Sequence, residues 1–153
     1  MNRYLWHPDN NDQKTVYLQA AGKQYEGGAR HVLLAWSNGT FQYNGNRTSV
    51  RQIIQLTQDG AGYHYDLNPV AELFPPAALR NNTFLPLGTF TRLQRDRILQ
   101  LAQNTPFVSK STVNGCRVWT RDLLEAMMNE GMISQEIFEQ VDYGVPLVKR
   151  MAE

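Results

Sequence analysis

The chain predicts an α+β domain: an antiparallel β-sheet of four or five strands with helices packed on one side. Three observations carry this. The first two-thirds hold short β-branched and aromatic runs broken by Gly, Asn and Pro turn signals. The remainder holds apolar residues at helical spacing. The length, 153 residues, suits a single domain over 1–153 with a core of its own.

"TVYLQA" (15–20) has the composition of a half-buried strand. After the turn-forming "EGGAR", "HVLLAW" (31–36) is almost wholly apolar, as a central strand is. "SNGT" contains Asn38-Gly39, a strong hairpin signal, and predicts that "TFQYNG" returns as the next strand. "SVRQIIQLTQ" (49–58) mixes β-branched and polar residues and leads into the turn "DGAG". In "YHYDLNP" (63–69) Tyr63, Tyr65 and Leu67 alternate with His64 and Asp66, and Pro69 ends the pairing. "AELFPPAALRNNTFLPLGTF" (71–90), with three prolines, reads as a long covering loop that either crosses the sheet or lies over a cleft as a lid.

Thr91 is placed to cap a helix, "RLQRDRILQLAQ", with Leu93, the Arg97 stem, Ile98, Leu101 and Ala102 along one side. "FVSKSTVNG" (107–115) is extended. From Cys116 a second helix carries Trp119, Leu123 and Met127 on one stripe, with Leu124 and Met128 beside it and Gly131 at its end. Ser134 caps a last helix, "QEIFEQVDY" (135–143), which Gly144 and Pro146 close.

Charge and composition narrow the function. Fifteen basic and fourteen acidic residues give a net charge of +1, without the basic footprint that phosphate backbones demand, so no nucleic-acid partner is expected. No apolar run reaches bilayer length, and no membrane span is expected. "MNRYLWHPDNND" lacks the basic start and apolar centre of a signal peptide, and one cysteine provides no disulfide framework; a cytoplasmic location follows as the expectation. The three histidines have no short spacing that gathers metal ligands, and "EGGAR" precedes a strand rather than a helix, so neither a metal nor a phosphate-bearing cofactor is expected.

What remains is the thiol. Cys116 falls at a helix start, where unpaired N–H groups and the helix dipole favour a thiolate and can hold an oxyanion. A nucleophilic thiol needs an imidazole to share its proton and a polar group to orient that imidazole. His7 lies in a polar terminal stretch. His31, at a strand end, is the better candidate base, with Asp66 as its orienting partner, His64 next, and Gln42 or Gln52 further candidates. Arg117 and Arg121 share a helix face and suit either a substrate carboxylate or surface pairing with Asp122 or Glu125. Trp119 suits either an apolar substrate pocket or the core. Cys116 itself suits either chemistry or packing, since free cysteine is among the most buried residue types.

A His that opens a strand, further strands, a helix, then "NGCRVW" entering an amphipathic helix resembles the circularly permuted papain-like arrangement of NlpC-type peptidases and lecithin:retinol acyltransferase relatives. "HVLLAW", "YDLNP" and "GCRVW" are also similar to an uncharacterised fungal domain family with a Gly-Cys-Arg-x-Trp helix start. These three elements together cover about residues 30–134. Two positions depart from the pattern: Gly115 stands between Asn114 and Cys116, and Val32 follows His31 where an aromatic is common. The permuted papain-like resemblance implies that fold and a cysteine-dependent acyl transfer or hydrolysis on an amide or ester of a small molecule or peptide. In that reading Cys116 attacks, His31 serves as base and then acid, and Asp66 orients His31; His64, Arg117 and Trp119 line the substrate site. Two other readings stand beside it. One is a non-covalent isomerase or cyclase of fungal biosynthesis using His64, Asp66 and Tyr65. The other is a binding module in which the sulfur is sealed away from any imidazole.

Overall fold

The computed structural model describes residues 1–153. Seven strands and four helices follow in the order β1 (Lys14–Ala20), β2 (Val32–Tyr43), β3 (Asn46–Ile54), β4 (Thr57–Asp59), β5 (Gly62–His64), β6 (Val70–Phe74), α1 (Pro76–Asn81), β7 (Thr83–Phe90), α2 (Arg92–Asn104), α3 (Cys116–Asn129) and α4 (Gln135–Gly144). Five strands form an antiparallel sheet in the order β6-β3-β2-β1-β7, and β4 and β5 form a separate hairpin. The α+β class and the five-stranded antiparallel sheet agree with the sequence expectation.

β2 lies at the centre of the sheet because it can be buried on both faces. Val32, Leu34 and Trp36 face the helices, while Leu33 and Ala35 join Ile53 in a smaller cluster on the other face. α3 supplies Trp119, Leu123, Leu124 and Met127 to the main core, α2 adds Ile98 and Ala102, and α4 adds Phe138 and Val141. α1 buries no residue. The sheet is strongly curled: Phe74 on one edge strand and Phe84 on the opposite edge strand pack edge-to-face, with ring centres 5.5 Å apart. Between them the Arg51 guanidinium lies over Phe74, Tyr17 and Phe84 at 4.5, 5.4 and 5.4 Å.

Four local expectations are corrected. Asn38-Gly39 is not a hairpin turn. β2 runs through it with a bulge between Ser37 and Thr40, because the buried Asn38 side chain donates to His7 O and to Gln52 instead of shaping a turn. The turn comes at Asn44-Gly45, where both residues have positive φ, 50° and 77°. The stretch 71–90 is not a loop, since it contains the edge strands β6 and β7 joined by α1. "YHYDLNP" does not continue the large sheet, and only its first residues pair, in the small hairpin. On α2 the inward residue is Arg95 rather than Leu93, which is 80% exposed. Arg95 is fully buried and grips the Asp9 carboxylate with Nε at 3.0 Å and Nη2 at 2.9 Å, while Trp36 Nε1 and Lys14 also donate to Asp9.

Candidate active site

Cys116 opens α3 because its preceding segment is held in place on several sides. Asn114 is buried and makes paired bonds to the Met151 backbone, donating to its carbonyl and accepting from its amide at 2.8 Å each. The Ser111 hydroxyl accepts from the amide of Asn114 at 2.9 Å and donates to the Glu153 carboxylate. Gly115 is the N-cap and offers no side chain to the helix. The first intrahelical bonds run from the Val118 and Trp119 amides to the Gly115 carbonyl, leaving the amides of Cys116 and Arg117 without carbonyl partners. Two N–H groups are therefore left free at the positive end of the dipole, in the turn that carries Cys116.

His31 sits immediately before β2, on a central strand that α3 crosses. Its Nε2 lies 2.8 Å from Oε1 of Gln55, just beyond the end of the neighbouring strand β3. An amide oxygen only accepts, so Nε2 carries the hydrogen and Nδ1 is left without one. The thiol and the ring lie near enough to shift one another's pKa. For Cys116, burial is the largest influence and pushes the pKa up, but the bond to His31, the Val32 amide and the charges of His31 and Arg117 together bring it below that of an ordinary thiol. For His31, the bond to Cys116 is the largest influence and raises the pKa. Burial opposes it, while Gln55 and the Glu72 carboxylate add to the rise. In its resting position the Cys116 thiol donates to the Arg30 carbonyl at 3.5 Å. Cys116 as a residue is half-buried.

One cleft contains Cys116 and another contains Gln55, and His31 lines neither. The first, of about 300 Å³, is lined by Cys116, Gly115 and Tyr63 together with Ala29, Val113 and Val148. The other, of about 280 Å³, contains Gln55, His64, Tyr65, Asp66 and Glu72. No three His, Cys, Asp or Glu side chains converge as metal ligands would.

The other sequence candidates fall as follows. Asp66 is not the orienting group. It is exposed on its own turn, accepts from the Asn68 amide at 3.0 Å and makes no bond to His31; Gln55 holds that place. Gln52 is fully buried beside Asn38, and Gln42 lies exposed near the far end of β2. His64 is exposed, bonded to Thr57 Oγ1 at 2.7 Å with Asp59 at 3.6 Å, and lines only the second cleft. Arg117 borders the first cleft, but its guanidinium donates to the Pro146 and Gly28 carbonyls and stacks over Tyr25, which ties the 21–29 loop to the chain after α4. Trp119 does not line a substrate cleft. It is 1% exposed, donates to the Thr105 carbonyl at 3.2 Å and packs on the Tyr65 ring. Burial pushes the Tyr65 hydroxyl up to about 12, with Asp66 adding to the rise, so it stays protonated at neutral pH.

Sequence reasoning missed Gln55 and Tyr63. The signal for Gln55 was weak but present: it ends the run that pairs with "HVLLAW", so any residue there lies near the start of the His31 strand. Compared with known proteins, the chain matches no family model, no curated protein and no solved structure. No helix is long and apolar enough to cross a membrane.

Proposed function

We propose that the protein is a small cysteine-dependent enzyme that transfers or hydrolyses an acyl group carried as an amide or ester, on a permuted papain-like fold. What supports this reading is an imidazole bonded to the Gln55 carboxamide and near enough to a sulfur at a helix start that each shifts the other's pKa. A packing cysteine needs none of these features.

The steps follow from the groups present. The Cys116 thiolate attacks the carbonyl carbon, a C–S bond forms, and the carbonyl electron pair moves to oxygen. The amides of Cys116 and Arg117 receive that oxyanion. As the intermediate collapses, the C–N or C–O bond breaks and protonated His31 gives its proton to the departing atom. The thioester is then attacked by water or by an acceptor nucleophile, with His31 taking the incoming proton and Gln55 keeping the ring in register; the C–S bond breaks, its electron pair returns to the Cys116 sulfur and the acyl product leaves. Such chemistry needs a reduced sulfur, which suits a reducing, cytoplasmic compartment.

The test is direct. Native protein mixed with an activated ester such as p-nitrophenyl acetate should gain the mass of one acetyl group on Cys116, with a burst of p-nitrophenol. Cys116→Ser should show neither. Absence of both burst and adduct in the native protein ends the proposal.

A further inference from the structure

The Tyr63 ring packs against the main core, and its hydroxyl is left at the start of α3. Its hydroxyl makes no hydrogen bond to any protein group, and Tyr63 lines the cleft that also holds Cys116. The phenol is aimed there by the β4–β5 hairpin, which is tied to the segment before α3 by the Tyr63 amide donating to the Ser109 carbonyl at 2.7 Å. It also explains Gly115. A Cβ at that position would lie 2.6 Å from the Tyr63 hydroxyl, closer than any ordinary contact, so the hydroxyl fills the space a side chain would take at the N-cap. Thus the residue that separates Asn114 from Cys116 is the one that lets a phenol approach the start of α3.

We infer that Tyr63 is an oxyanion donor of the acyl-transfer site, its hydroxyl completing a set with the Cys116 and Arg117 amides. This rests on the thiol-enzyme reading above and adds to it a residue from a different part of the chain. In the acylation step the Tyr63 O–H donates to the oxygen that gains the carbonyl electron pair. No bond to Tyr63 forms or breaks, and its proton stays on the phenol throughout. A cleft that offers three donors to one oxygen favours acyl groups whose carbonyl turns tetrahedral during reaction.

Two reactions of the same sulfur separate this role from a structural one. Acylation by p-nitrophenyl acetate passes through an oxyanion, whereas alkylation by iodoacetamide occurs at a tetrahedral carbon and does not. Tyr63→Phe should lower the acylation rate on the order of 100-fold, the scale of losing one oxyanion donor, while the alkylation rate and its pH profile stay at the native level. Gly115→Ala, which crowds the hydroxyl away, should give the same split. Equal acylation in native protein and Tyr63→Phe overturns the inference alone. A parallel fall in acylation and alkylation also overturns it, because that marks a disturbed site. Native protein that alkylates but never acylates overturns the inference together with the reading beneath it.

Discussion

His31 Nε2 and Gln55 Oε1 stand 2.8 Å apart, joining the start of the central strand to the end of its neighbour. Because the acceptor is a neutral carboxamide, the ring is oriented and its tautomer fixed without a fixed negative charge at Nε2.

Gln55→Ala should therefore lower the acylation rate on the order of 10- to 100-fold, the range found when an orienting hydrogen-bond partner is removed. Asp66→Asn should leave the rate within about twofold, as expected for an exposed residue outside the contact. Burst kinetics on both variants decide between the two partners. A larger loss in Asp66→Asn would return the orienting role to the carboxylate.

The thiol should titrate early. Because the pKa of Cys116 is lowered by its surroundings, iodoacetamide alkylation should become fast at a lower pH than for a free thiol. His31→Ala removes the strongest of the lowering contacts while burial, which pushes the value up, stays. The midpoint of the rate profile should then move to higher pH. An unchanged midpoint would mean that ring and sulfur are not coupled.

Away from the site, Asp9 should control acid stability. Burial is the largest influence on its carboxyl and raises the pKa, yet Arg95, Lys14 and the Asn10 amide together bring it below the ordinary value. The sign follows: the stabilisation is present above the unfolded-state value and is lost as pH falls through the lower folded-state value. At neutral pH Asp9→Asn leaves the fully buried Arg95 charge without its partner, a loss of about 3 to 5 kcal/mol. Urea unfolding across the acid range should show the native protein weakening and the variant responding less. A variant as stable as the native protein at neutral pH would contradict this role.

What could be read from the sequence was local. The α3 stripe of Trp119, Leu123 and Met127 and the caps at Thr91 and Ser134 need only their neighbours, and each lies where periodicity and capping chemistry put it. His31 and Cys116 were nameable because strand ends and helix starts are where reactive groups can reach a cleft. Long-range pairing was not visible. Arg95 turns inward for a carboxylate 86 residues away, and Asn38 leaves its expected turn for a hydrogen bond to Gln52. Gln55 and Tyr63 carry no periodic or compositional mark. Their significance depends on strand register and on which loop the small hairpin meets.

The paired bonds between Asn114 and Met151 give the protein a definite order of assembly. The two residues are 37 apart in the chain, so during synthesis the stretch leading into Cys116 leaves the ribosome well before its clasp does. The two bonds that hold Asn114 can form only after Met151 has emerged. Until then the newborn chain lacks that clasp before Cys116, and a bulky fusion joined close behind Met151 would prolong that interval.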